Sequence, residues 1–340
     1  MSHTAGKRRG TAIALVLASA MLGTLIAVME GREAWSLLKH AQWNLLPAAL
    51  LFTAISYFCL SAGYAAMNRI FGIDLPSVDL LEVGFVSFAL NNLISVSGLA
   101  GYSLRLILLR RRGLEGGDVL GASLVHSYFN HIVMMSMLPA GLIYVLVNHP
   151  LGREQTLRMA MATAVALLVL VATTLLLLWA RLRRVIARAI AALGRRVLGR
   201  DFGPFLQHLD ETLGRGIAAA RAHPMALGLP LLFVLLDWAA SVLVLGVCFE
   251  ALGDRPHLGV LLTGFAIGVT VGFLSMLPGG MGAQEGSMTG IYVLLGVQLE
   301  QAVLAAMLFR VVYYIVPFVA SLVLYTRLLR ARPEPGAVSG

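Results

Sequence analysis

Charge is scarce in this chain. Only 13% of its 340 residues are Asp, Glu, Lys or Arg and 59% are apolar, whereas soluble domains are roughly a quarter charged and half apolar. That balance excludes an ordinary soluble globule. Cysteine is nearly absent: Cys59 and Cys248 stand singly in apolar runs, without metal-ligand or redox spacing, and read as small buried side chains. The sequence holds no nucleophile elbow, no phosphate-binding glycine loop with its lysine and no HExxH pair. No hydrophilic stretch is long enough for a separate catalytic domain. The expectation is a single membrane domain over residues 1–340, a transporter rather than an enzyme, without cofactor or metal.

What the chain does have is long uncharged runs. Thr11 to Met29, Leu45 to Met67 and Met159 to Ala180 approach or exceed the roughly 20 residues that carry a helix across about 30 Å of hydrocarbon. The first run follows "GKRRG" but is long for a cleaved signal, so it reads as a retained helix. The net charge of +9 is concentrated at Lys7 to Arg9, Arg105 to Arg112, Arg181 to Arg200 and Arg327 to Arg332. Such clusters mark cytoplasmic loops by the positive-inside rule and make nucleic acid a poor explanation of the basic balance. Arg181 to Leu198 alternates arginines with Leu182, Val185, Ile186, Ala189, Ile190, Leu193 and Val197 at helical spacing. Residues 181–222 are therefore expected to be a basic amphipathic segment on an anionic lipid surface, or a topology anchor.

Two apolar regions are interrupted. "LSMLPGGMGAQEGSM" from Leu274 carries a proline, four glycines and a glutamate, and "NNLISVSGLAGYSLR" from Asn91 is polar and glycine-containing. Both follow Phe-Ala starts, at Phe88 and Phe265. Both contain Gly-x-x-Gly, at Gly98 and Gly101 or Gly279 and Gly282, then one charge, Arg105 or Glu285. The charge pattern places both ends of the first region on the cytoplasmic side, and three crossings separate the two regions. The expected architecture is an all-α polytopic membrane protein with about six full transmembrane helices and two re-entrant broken-helix hairpins, residues 78–147 and 258–329. The hairpins form inverted repeats, and both termini are cytoplasmic. In the second hairpin a half-helix starts after Gly282, and Gly290 to Leu295 forms its last part.

Irregular backbone at membrane depth is tolerated only where protein or a water-filled cavity satisfies its amides. Pro278, Gly279, Gly280 and Gly282 therefore imply either a cavity or the close helix packing of small-xxx-small spacing. Amide groups opening the half-helix after Gly282 favour an anion. Glu285, Arg310 and Asp237 are the deepest charges. They are expected to form a static Glu285–Arg310 or Asp237–Arg310 pair or to meet a ligand directly. Tyr313 and Tyr314 follow Arg310 by one turn, and Pro317 breaks the ladder after them. His126, Asn130 and His131 occupy a similar band, His126 and Asn130 reading as a hydrogen-bonded interior pair; Asn91 and Asn92 are further polar candidates.

"LPGGMGAQEG" followed by "AAMLFRVVYYIVPFVASLVLY" resembles the second-half signature of the lysylphosphatidylglycerol synthase transmembrane region, a flippase-like membrane family. "NNLISVSGLAGYSLRLILLRRRGL" is similar to its first-half motif, and the resemblance covers most of the chain from about Leu45 to Leu329. It implies that Gly98, Gly101 and Arg105 correspond to the first motif. Pro278, Gly279, Gly280, Gly282, Glu285, Arg310 and Tyr314 correspond to the second. The soluble aminoacyltransferase domain that makes the aminoacylated lipid is absent, so synthase activity does not carry over. The implied function is a lipid translocase of a bacterial-type cytoplasmic (inner) membrane, moving a polar phospholipid or lipid-linked headgroup between leaflets. The alternatives are a non-transporting partner or scaffold of a lipid-modifying enzyme or glycosyltransferase, and an ion-coupled solute transporter.

Overall fold

The computed structural model describes residues 32–94, 99–110, 114, 116–148, 152–198 and 224–330, with scattered positions between 203 and 218. The expected first helix Thr11 to Met29 and Gly98 lie outside these residues, as do Lys7 to Arg9, Arg111, Arg112 and much of residues 199–222. Among the described residues all regular structure is helical, with no strand.

Helix α1 (Arg32–His40) precedes the first long apolar helix. Helix α2 (Leu46–Ile70) starts at Pro47, whose missing N–H costs nothing in a first turn. It ends before Gly72, which turns the chain at φ +72°. The order continues α3 (Ser77–Ile94), α4 (Leu99–Arg110), α5 (Gly116–Asn148), α6 (Arg153–Leu178), α7 (Ala180–Leu198), α8 (Gly228–Ala251), α9 (Leu258–Leu274), α10 (Ala283–Leu294), α11 (Leu299–Phe309) and α12 (Val316–Arg330).

Among the described residues five stretches are long and apolar enough to cross a membrane: Trp43–Ile70, Val119–Asn148, Thr156–Leu175, Pro224–Ala251 and Leu299–Leu328. The chain is a multi-pass membrane protein. Helices α2 and α8 pack together along the centre and turn polar groups inward, Ser56 and Ser61 from one and Asp237 and Ser241 from the other. That distribution follows from the solvent, since hydrocarbon accepts apolar side chains and polar ones are cheapest inside the bundle. Helix α6 packs on α5 and α7 and leaves Leu157, Met161, Val165 and Leu168 exposed, the all-round apolar surface of a lipid-facing helix.

In each interrupted region two helices pack on each other, α3 on α4 and α9 on α10. A 3₁₀ turn, Pro278–Gly280, lies in the second break. Helix α10 begins at Ala283, directly after Gly282. Its start is fixed by Glu285, whose carboxylate accepts the Gly282 N–H at 2.7 Å. Gly264, Gly268 and Gly272 form the face of α9 that meets α10: a Cβ on Gly264 would overlap the Tyr292 ring, and one on Gly272 would stand 2.9 Å from the Gln284 Cβ. This is small-xxx-small packing.

The last crossing is not one uniform helix. Between α11 and α12, Arg310–Ile315 forms a π-helical turn directly before Val316 and Pro317. Pro317 cannot donate the bond that would reach Tyr313. The wider turn absorbs an extra residue there, and Arg310, Tyr313 and Tyr314 are all buried.

Candidate functional site

The second break touches the end of α3. Gly279, at φ +59°, presses its Cα against the end of α3, where a Cβ would stand 2.5 Å from the Leu93 carbonyl oxygen and 2.9 Å from that of Asn92. Only glycine fits both the conformation and the space. Gly101 does the same within the first unit: its N–H reaches Asn91 Oδ1 at 3.3 Å, and a Cβ would stand 3.0 Å from the Ser87 carbonyl. One turn after Gly101, Arg105 thereby reaches Ser87.

Beside the meeting point lies a half-open cavity of about 220 Å³. The first unit contributes Asn91, Asn92, Gly101 and Arg105 to its wall, and the second contributes Gly279, Gly280 and Gln284. Asn130 and His131 of α5, Asp237 and Ser241 of α8, and Tyr313 and Tyr314 of the π turn complete the polar lining. Of the other sequence candidates, Pro278, Gly282, Glu285, Arg310 and His126 do not line it.

The two arginines are held differently. Arg310, 1% exposed, is saturated. It pairs with Glu285 through Nε and Nη2, donates from Nη1 to the Gly279 carbonyl at 2.9 Å and from Nη2 to Gln284 Oε1 at 3.3 Å. Its guanidinium also lies 4.2 Å from the centre of the Tyr314 ring. Of the pairings open to sequence reasoning, the structure takes Glu285–Arg310. Because the same carboxylate caps α10 and the same guanidinium ties down Gly279, this pair clamps the second break in shape.

Arg105 has no carboxylate partner among the described residues. Its Nε donates to Ser87 Oγ at 2.8 Å, and its guanidinium lies 4.1 and 4.3 Å from the ring centres of Phe88 and Tyr64. It is 3% exposed and lines the cavity. A buried cation held by rings and one hydroxyl is incompletely compensated, which is expensive in a low-dielectric interior unless an anion comes to it. Trp238, whose indole N–H has no partner among the described residues, lines the same wall and supplies a second unused donor.

Asp237 sits apart from the arginines in a cluster of hydroxyls. Ser56 donates to its carboxylate, Tyr313 Oη is 2.9 Å from Ser56 Oγ, and Ser241 Oγ is 2.7 Å from Tyr313 Oη. His126 is fully buried between the Tyr64 and Phe88 rings, with Asn130 Nδ2 3.4 Å from its Nδ1. Asn92 donates to Tyr57 Oη at 3.2 Å, which joins the end of α3 to α2.

Sequence reasoning passed over Ser56, Tyr57, Ser87, Gln284, Trp238 and Ser241. Ser241 had a signal, standing one helical turn after Asp237, and Gln284 adjoins Glu285; the others are ordinary polar or aromatic residues in apolar runs.

Comparison with known proteins places this geometry in a family. The chain is 25% identical over 268 residues to a UPF0104 membrane protein of Methanothermobacter thermautotrophicus, covering 74% of each chain. It is 22% identical over 291 residues to a UPF0104 membrane protein of Pyrococcus horikoshii, covering 83% of this chain and 86% of that one. A third such protein, of Archaeoglobus fulgidus, is 21% identical over 289 residues. With residues 11–321 matching the model described as the lysylphosphatidylglycerol synthase TM region, the chain belongs to that membrane-protein family.

Proposed function

We propose that this protein is a non-enzymatic lipid translocase of a cytoplasmic membrane, in which the cavity accepts the anionic headgroup of a phospholipid or other polar lipid. The observation that carries this reading is Arg105: a buried cation without a carboxylate partner among the described residues, on the wall of a polar cavity inside a membrane domain. Headgroup phosphate accepts charge-assisted bonds from its free guanidinium nitrogens, with the Trp238 indole N–H as a further donor. Arg310 takes no direct part, since Glu285, Gln284 and Gly279 already occupy it.

The contact of Gly279 with the end of α3 supports the architecture expected from the sequence. Two re-entrant hairpins of opposite orientation, with cytoplasmic termini, would meet near the midplane, where transporter sites at repeat interfaces lie. The α7 arginines would then rest on the anionic inner leaflet: Arg184 and Arg188 are exposed, and so are Val185, Ile190 and Leu193 on the helix's apolar residues. A lipid-modifying enzyme that supplies or consumes the lipid is a compatible partner.

The test is leaflet transfer of fluorescent phosphatidylglycerol in liposomes carrying the purified protein. Wild type should exceed empty vesicles, and Arg105→Gln should fall about ten- to a hundredfold, the loss of one charge-assisted interaction of roughly 1.5–3 kcal/mol. Transfer equal to that of empty vesicles, or unaltered in Arg105→Gln, overturns the reading.

A further inference from the structure

Asp237 remains outside that account. It is 4% exposed, it lines the cavity, and among the described residues it has no cationic partner. Its partners are neutral hydroxyls: Ser56 donates to the carboxylate and Tyr313 adjoins it, while the oxygens of Ser241 and Tyr313 are also engaged with Ser56, with each other and with the Asp237 carbonyl. Ionised, this carboxyl would be a poorly compensated buried anion beside the space where a headgroup phosphate is to sit. Protonated, it would be a neutral group among hydroxyls.

We infer that Asp237 is a proton site coupled to the cavity: its carboxylate takes up one proton as an anionic headgroup docks at Arg105, and releases it when the headgroup leaves. No covalent or redox step is involved; the proton bonds to a carboxylate oxygen and comes from water through the cavity. The coupling has a definite sign. Two anions in one cavity repel, so a bound phosphate favours the neutral acid, and by linkage a proton on Asp237 strengthens phosphate binding by the same factor. This deepens the reading of Arg105 as the anion holder and rests on it.

A metal cation fits the cluster poorly. Ser56, Ser241 and Tyr313 offer only neutral hydroxyls bonded to one another at 2.7 to 3.4 Å, and the described residues hold no group of three or more His, Cys, Asp or Glu suited to a metal. Other titratable groups near Asp237 are Tyr57 and Cys59 of α2 and Tyr313 and Tyr314 of the π turn. His131 and Arg105 face it across the cavity, and α9 adds only apolar or glycine residues to the wall. The cluster also reaches α10 and the end of α3. Tyr313 adjoins Tyr314, which hydrogen-bonds Gln284, and the Tyr313 ring lies 5.5 Å from that of Tyr57, the partner of Asn92. A change of charge at Asp237 is therefore felt where the second break meets the end of α3.

The experiment measures proton uptake by the full-length protein in weakly buffered detergent as dihexanoyl phosphatidylglycerol is added, between about pH 5 and 8. Uptake should be about one proton per bound lipid in wild type and zero per bound lipid in Asp237→Asn. Binding without uptake in wild type, uptake unchanged in Asp237→Asn, or uptake replaced by sodium binding overturns the inference. Should Asp237→Asn fail to fold, Ser56→Ala serves instead: it should shift the pH midpoint of uptake, and an unchanged midpoint counts against the site. Should wild type not bind the lipid, the Arg105 reading fails, and infrared spectra without lipid judge Asp237 by itself. A titrating carboxylic-acid band lost in Asp237→Asn upholds the proton site, and its absence sinks it.

Discussion

Removing the charge of Glu285 should unfold more than it disables. The Arg310 guanidinium is 1% exposed, and its other partners are a backbone carbonyl, the Gln284 amide and the Tyr314 ring, all neutral. Glu285→Gln keeps the shape and an acceptor for the Gly282 N–H, but leaves a buried cation without its counter-charge. Breaking a buried pair this way costs about 3–5 kcal/mol, or two to nearly four powers of ten in the folded-to-unfolded ratio at about 1.4 kcal/mol per decade. Removing both charges with apolar side chains, in Glu285→Met with Arg310→Met, should recover about 2 kcal/mol relative to the sum of the two single losses. The assay is denaturant unfolding in mixed micelles across the double-mutant cycle. Single-variant losses within about 0.5 kcal/mol, the scale of a surface substitution, or strict additivity in the double variant, would refute the reasoning that this pair clamps the second break.

Three further outcomes follow from the geometry. Gly279→Ala should destabilise by at least about 2 kcal/mol, because its φ of +59° costs an L-residue about 1–2 kcal/mol and its Cβ strikes the Leu93 carbonyl. Gly286→Ala, in an exposed stretch of α10 with nothing within 4 Å of the added carbon, should stabilise by about 0.5–1 kcal/mol in the same unfolding assay. Replacing Arg184 and Arg188 with Gln should weaken retention of anionic lipid during purification by roughly 1 kcal/mol per arginine, read as the lipid-to-protein ratio, while Arg183, bonded to Asp210 at 2.7 Å, is left in place. An unaltered ratio would mean that α7 does not rest on anionic lipid.

Class and helical make-up were legible because they depend on composition. A chain with 13% charge and 20-residue apolar runs has no solution but membrane helices. The second break was legible for a related reason, since glycine, proline and an acid inside an apolar run conflict with an uninterrupted helix. Helix α1 was less legible, being short and of mixed polarity.

At the site, the sequence by itself determined that Glu285, Arg310 and Asp237 had to be buried and partnered, because charge in hydrocarbon is expensive wherever it stands. Which partners they took was a matter of tertiary structure. Arg310 joins Glu285 rather than Asp237 because the contact of α10 with α11 brings residues 25 apart in sequence together. Asp237 is left to the hydroxyl of Ser56, 181 residues away, by the packing of α2 on α8. The distinction between a clamped arginine and one facing a cavity is invisible in a one-dimensional pattern. It depends on which side chains the fold delivers to each guanidinium, and sequence spacing does not encode that across separate helices.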